Sequence, residues 1–285
     1  MKQVYMKKAF ALIISVLLPV FAWGQAQINT KKVKLGDFTQ KITKVVLTGN
    51  DFMDHALKDE ITLRWRISPY EFCTLNEFND LKTSEDYYFL MTTSGQFKKE
   101  SSPSIQFLTL VKGGAKAAEG IDSMLEVVSL PIASAQFPTG REMTFLPAFL
   151  NIIQTFTLDA MEKDANAYGG LRNYSINIKR SDDHKIVFSS DDLAFSLESI
   201  EGNTFGKDIM FADEAEVNQM LKDSAASTIV SYVVAPFDPQ PGAFCYKMLI
   251  DTRTHTLYYY KRHKISEENG AGFLKEDLKR IYSAR

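Results

Sequence analysis

Cysteine is nearly missing. The chain has 285 residues and only two cysteines, Cys73 and Cys245. No Cys-x-x-Cys pair can form, so a dithiol redox motif is excluded, and neither cysteine has a histidine close by in sequence. The two lie far apart, and their spacing reads as two buried free thiols rather than a disulfide. Cys73 precedes a predicted helix N-terminus, where a thiolate would be favoured, which makes it the best lone reactive residue. No Gly-x-Ser-x-Gly elbow occurs, so nucleophilic catalysis has no recognisable parts. Lys112-Gly113-Gly114 lacks the Gly-Lys-Ser/Thr ending of a phosphate loop, and Gly270-Ala271-Gly272 follows no suitable strand. An excess of one charge is absent as well: 33 Lys and Arg face 35 Asp and Glu. That balance excludes a nucleic-acid footprint or a polybasic membrane patch. Beyond residue 24 no apolar run is long enough to span a bilayer.

Residues 1–24 read as a secretory signal peptide. Lys2, Lys7 and Lys8 form a positive start, and Met6 offers a second initiation point before Lys7-Lys8. Ala9 to Ala22 is apolar, shorter than the ~20 residues of a membrane span and interrupted by Pro19. Small residues then sit at cleavage spacing before Gln25 or before Gln27. No cysteine stands there to take a lipid anchor. The expected location is periplasmic or secreted, with a soluble mature chain.

The stretch Lys44-Val45-Val46-Leu47-Thr48-Gly49-Asn50-Asp51-Phe52 has an echo, Lys185-Ile186-Val187-Phe188-Ser189-Ser190-Asp191-Asp192-Leu193. Strands are expected at 33–35 and 42–47, a short helix at 51–59 entered through Asn50, and a strand at 61–67 from its alternation. Thr74-Leu75-Asn76-Glu77 spells a capping box that opens a helix. Strands at 87–91 and 105–111, a helix at 121–128 and a loop at 130–144 follow. The same order returns at 176–178, 186–188, 213–218, 229–234 and 244–250, with a closing helix at 272–282. The second copy departs at 201–206, which does not alternate as 61–67 does. It also carries an apparent extra strand, 257–264. An internal repeat is therefore expected. Between the copies, Thr144 caps an apolar helix with Pro147 in its first turn.

These readings sum to an α+β fold: two tandem similar lobes, each a small mostly antiparallel sheet with helices packed on one face. The first lobe is 25–143, the apolar connecting helix 144–168 and the second lobe 169–285. Duplicated lobes are expected to meet across a pseudo-twofold groove, the default binding site.

Candidate chemistry is sparse. His184 follows Asp182-Asp183, but adjacent residues of a turn splay apart, which suits a solvated turn better than a metal site. His55 shares a helix face with Asp51, the geometry of a surface pair. His255 and His263 stand alone. The strand Tyr258-Tyr259-Tyr260-Lys261-Arg262-His263-Lys264 mixes aromatics and bases. Tyr258, Tyr260 and Arg262 are the candidate ligand contacts, by stacking on a sugar polymer or on single-stranded nucleic acid, the latter disfavoured for an exported acidic chain, beside the plainer reading of a half-buried strand with basic edge protection. No catalytic residue, metal ligand or cofactor is assigned.

Trp65-Arg66-Ile67-Ser68-Pro69-Tyr70-Glu71-Phe72, Glu77-Phe78, Tyr88-Phe89-Leu90 and Val111-Lys112-Gly113-Gly114 together resemble a pattern in exported proteins of Gram-negative bacteria. The resemblance covers residues 44–115 and is fainter in the second copy. It implies an envelope location and carries no activity or site residue with it. The leading expectation is a non-catalytic exported protein that binds an envelope protein or a small ligand. The alternatives are an enzyme with its site in the cleft between lobes and a structural component of an envelope assembly. Mass spectrometry of the protein from an envelope extract should show a chain beginning at Gln25 or Gln27; an intact Met1 or Met6 would contradict the signal-peptide reading.

Overall fold

The computed structural model describes residues 31–97, 100–199 and 207–285. The expected signal peptide, 1–24, and the departing stretch 201–206 lie outside the described residues.

The chain is α+β, with two similar lobes built on five-stranded sheets. Lobe 1 opens with α1 (Lys31–Leu35) and a 3-10 turn (Phe38–Gln40), then β1 (Ile42–Val46). The expected strand at 33–35 is thus helical; its Leu35 is buried while Val33 is exposed. α2 (Asp51–Arg64), β2 (Tyr70–Cys73), α3 (Leu75–Leu81), β3 (Tyr87–Gly95), β4 (Ile105–Lys112) and β5 (Leu125–Ser134) follow. α4 (Arg141–Glu162) and α5 (Asp164–Gly169) lead into lobe 2. A 3-10 stretch, Leu171–Arg180, stands where a strand at 176–178 is expected. Then come β6 (Lys185–Ser189), β7 (Ile209–Ala212), α6 (Glu214–Lys222), β8 (Thr228–Val234), β9 (Phe244–Asp251), β10 (Leu257–Lys264) and α7 (Lys275–Ala284).

The sheet orders are β2-β1-β3-β4-β5 and β10-β9-β8-β6-β7, the same topology twice. β1 is parallel to β2 and β3, and β6 is parallel to β7 and β8. The remaining pairs, β3–β4–β5 and β8–β9–β10, are antiparallel, so each sheet is mixed. Parallel neighbours need a crossover, and right-handed crossovers to opposite sides of β1 leave their helices on opposite faces. Leu57 and Ile61 of α2 accordingly join Val45, Tyr88 and Leu90, whereas Phe78 of α3 joins Val46, Phe89 and Met91 on the other face. Helices therefore cover both faces.

Two sequence expectations change here. Residues 61–64 finish α2, and the strand starts only after Pro69. Leu57, Ile61 and Trp65 are spaced by four and all buried, so the helical period coexists with the alternation that suggested a strand. β5 runs across the boundary between the expected helix 121–128 and the expected loop 130–144, whose last residues open α4. β5 occupies in lobe 1 the sheet position of β10 in lobe 2, so residues 257–264 are no insertion.

α4 begins at Arg141, three residues before the expected Thr144 cap. Gly140, in left-handed backbone at φ 86°, turns the chain into it. Pro147 consequently lies inside the helix, where it removes one backbone hydrogen bond. Burial offsets that cost. Phe145, Leu146, Phe149, Leu150, Ile152, Ile153 and Phe156 are all buried, each contributing about 1.5–3 kcal/mol.

α4 shares one core with the α2 face of lobe 1 and the α6 face of lobe 2, where Val217, Val230, Tyr232 and Met248 meet it. The lobes thus join through non-equivalent faces, head to tail. The expected pseudo-twofold groove is absent, because a twofold needs the same patch on both partners. The opposite face of lobe 2 is closed by Phe273 and by Leu278 and Ile281 of α7, on Ile186, Phe188 and Leu249.

The start of α4 is tied across the interface. Arg141 donates from Nη1 to Asp192 Oδ1 at 2.7 Å and from Nη2 to Asp192 Oδ2 at 3.1 Å. It also donates to the Ser231 carbonyl at 3.0 Å and to Asn218 Oδ1 at 3.1 Å. Its guanidinium lies 4.8 Å from the Tyr232 ring centroid. Both charges are buried. Losing one leaves the other uncompensated, whereas an apolar pair of similar size is tolerated. Arg141→Met should lower unfolding free energy by about 3–5 kcal/mol, and Asp192→Leu added to it should restore much of the loss in urea melts. Additive losses would contradict the pairing.

Candidate functional site

Ligands of parallel sheets favour the crevice at the strand carboxyl ends, where successive connections leave in opposite directions. In lobe 1 that place lies beyond β1, and the chain fills it itself. Asp54 accepts from Thr48 N and Oγ1, both at 2.7 Å, and from Gly49 N at 3.0 Å. Asn50 caps α2 by accepting from Phe52 N and Met53 N. The repeated stretch is therefore a closed helix entrance. In lobe 2 Arg141 enters the equivalent crevice, between β6 and β8, and a cavity of ≈ 240 Å³ remains beside it, lined by Asp191, Asp192, Glu214 and Tyr232. Ser231 Oγ donates to Asp192 Oδ2 at 2.5 Å and accepts from Ser189 N at 2.8 Å, which completes the polar network there.

An open site lies along the seam between lobes, and a larger cavity of ≈ 680 Å³, lined by Asp37, Lys112 and Gly114, shares Met124 with it. A cleft of ≈ 440 Å³ is bounded by the α3 face of the lobe 1 sheet and by Tyr246, Tyr260 and Arg262 of lobe 2. Its floor is a row of hydroxyls across three strands. Thr93 Oγ1 and Thr109 Oγ1 are 2.9 Å apart, Thr109 Oγ1 and Ser129 Oγ 3.0 Å apart, and Ser129 Oγ donates to Glu126 Oε2 at 2.9 Å. Phe107 packs edge-on against Tyr246 with centroids 5.8 Å apart. Arg262 lies 4.8 Å over the Phe244 ring. Burial raises the phenol pKa values of Tyr246 and Tyr260, with Arg262 opposing the rise at both, so both phenols remain protonated donors at neutral pH.

The two lobes differ at this face. Strand register places Thr93, Thr109 and Ser129 where lobe 2 has Tyr232, Ile250 and Leu257. Those three are buried in the shared core beneath α4. Lobe 1 has hydroxyls at the corresponding positions, and the cleft opens over them.

Of the candidates expected from sequence, Tyr260 and Arg262 line this cleft and Tyr258 does not. A register shift between Leu257 and Tyr259 moves Tyr258 to the opposite face, beside His184. Thr93, Phe107, Thr109, Glu126, Ser129 and Tyr246 were not legible as a group. Thr93, Thr109 and Ser129 carry one sequence signal, smaller polar residues where the second copy has Tyr232, Ile250 and Leu257.

The remaining reactive groups are engaged elsewhere. Burial pushes both thiols up to about 11, the reverse of an activated nucleophile, and both cysteines are unpaired. His55 is exposed and lies 3.4 Å from Asp59 rather than pairing with Asp51. His184 sits between Asp183 at 2.7 Å and the buried Asp251 at 3.2 Å, a long-range partner its turn does not reveal. His263 contacts the Gly270 carbonyl at 2.9 Å. Among the described residues, no three His, Cys, Asp or Glu side chains are grouped to hold a metal. Buried Lys247 pairs with Asp277 beneath α7. Burial pushes that carboxyl up, but hydrogen bonds from Lys247 and Lys261 outweigh it and hold it at about 2.

His255 Nδ1 lies 2.7 Å from Asn151 Nδ2 of α4, and burial lowers the imidazole pKa. A histidine whose folded pKa is lowered costs nothing while neutral. The penalty begins as pH falls through the unfolded value near ~6.5. His255→Asn, suited to the left-handed backbone at φ 57°, should flatten the loss of stability between about pH 7 and 5 in denaturant melts. An unchanged acid limb would contradict this assignment.

Among the described residues no helix is long and apolar enough to cross a membrane. Comparison with protein-family models, curated proteins and solved structures found no match.

Proposed function

We propose that this is a non-catalytic binding protein of the cell envelope, and that its ligand occupies the seam cleft. The observation that carries this reading is the hydroxyl row Thr93–Thr109–Ser129, walled by aromatic rings of lobe 2, on a sheet face whose counterpart residues in lobe 2 are large and buried. Aromatic walls from Phe107, Tyr246 and Tyr260 supply contact area, and the hydroxyls, Glu126 and Arg262 supply direction. The paired charge and raised thiol pKa values favour binding over catalysis. The leader-like residues 1–24 support export, and the resemblance of residues 44–115 to exported proteins agrees with it.

A thermal-shift panel of monosaccharides, polyols, amino acids and dipeptides tests the reading on the chain from Gln25. At least one class should raise the melting temperature of the native protein. Thr109→Val with Ser129→Ala should weaken that ligand about tenfold, the scale of one or two lost hydrogen bonds. Stabilisation that survives the double substitution would place the ligand elsewhere.

A further inference from the structure

The seam cleft does not end at its own walls. A second cavity of ≈ 190 Å³, between α5 and β5, shares Glu126, Ser129 and Tyr260 with it. A third of ≈ 190 Å³, at the β8–β9 turn, shares Phe97. The three follow β10: Tyr260 borders the first two, Arg262 the middle one and Lys264 the last. From residue 260 to 264 a strand advances about 13 Å, and the outer cavities extend the groove further. An aromatic ring accompanies each part: Tyr168 in the cavity beside α5, Tyr260 at the junction and Phe97 at the far junction.

An extended groove could take a peptide or a glycan, and the edge strands separate the two. A peptide would add a strand and needs free backbone donors and acceptors on a sheet edge. β10 is an edge strand, and its edge is already engaged over residues 257–260: Ser175 Oγ donates to the Tyr260 carbonyl and accepts from Tyr260 N, each at 2.9 Å. Asn177 Nδ2 donates to the Leu257 carbonyl at 3.0 Å. β5, the edge strand of the lobe 1 sheet, accepts from Lys31 Nζ at Val127 and from the Tyr232 hydroxyl at Ile132. What the groove offers instead is side-chain chemistry: hydroxyls, the acceptors Glu126 and Asp122, the donor Arg262 and flat rings. Hydroxyls paired with hydroxyls donate and accept alike, which suits a ligand whose own groups do both. Ring faces match the apolar face of a sugar. Acid and base are mixed along the groove, so no single ligand charge is selected.

We propose that the seam groove binds a neutral oligosaccharide chain lying along β10 with several linked units in contact at once. This rests on the seam cleft being the binding site. The first test is isothermal titration of the chain from Gln25 with malto-, cello-, xylo- and chito-oligosaccharides of two to six units, alongside the corresponding monosaccharides. For one series, affinity should rise at least tenfold from two units to six. Tyr260→Ala and, separately, the exposed Arg262→Ala should each cost that longest ligand at least tenfold while the thermal melt stays cooperative. Affinity independent of length, with the monosaccharide still sensitive to Arg262→Ala, would overturn the extended chain and leave the cleft standing. Oligosaccharide binding insensitive to both substitutions would overturn both readings. Absence of binding across all four series would overturn the glycan assignment, and the panel of small molecules above then decides the cleft.

Discussion

The ion pair between Arg141 and Asp192 governs how this molecule is put together. Arg141 belongs to the helix that closes lobe 1, yet every hydrogen bond made by its guanidinium ends in lobe 2. A buried guanidinium is tolerated only where its donors are met, and Asp192, Asn218 and the Ser231 carbonyl meet them. Those groups lie at the one place in the lobe 2 sheet where strand connections diverge. The pair therefore fixes which end of α4 points at lobe 2, and places a satisfied charge in the crevice at the carboxyl ends of the lobe 2 strands. Tyr232 adds to the same joint, stacking beneath the guanidinium and donating its hydroxyl to the Ile132 carbonyl at 2.6 Å.

Head-to-tail joining makes the two lobes unequal although they share a topology. Lobe 2 presents its α6 face to α4 and must keep it apolar. The equivalent face of lobe 1 is packed by its own α3, through Phe78. Free of α4, it carries threonine and serine where lobe 2 carries tyrosine, isoleucine and leucine. The terminal face of a stacked array is polar for the same reason. Here the polar face is also walled by aromatic residues of the other lobe, which turns an end surface into a cleft.

Local chemistry was readable in the chain, and long-range pairing was not. The Thr74–Glu77 capping box, the Asn50 cap and the apolar helix all depend on neighbours within a turn, and each is present. The repeat was visible because β1 and β6 keep residue types in order. Failure began where two periods fit one segment, as at 61–67, or where a strand was short of alternation, as in β5 with its two register shifts. The site was beyond reach for a related reason. Tyr258, Tyr260 and Arg262 look like one face of a strand, and a single bulge separates the first from the others. The hydroxyl row joins residues of three strands, and no local spacing announces it.

Hydrogen–deuterium exchange on the chain from Gln25, with and without a ligand that raises its melting temperature, tests the seam site most directly. The account predicts slowed exchange in segments of both lobes together: 93–95, 107–109 and 126–129 on one side, 244–246 and 260–262 on the other. Protection confined to one lobe, or centred on the β1–α2 or β6–β7 connections, would contradict it.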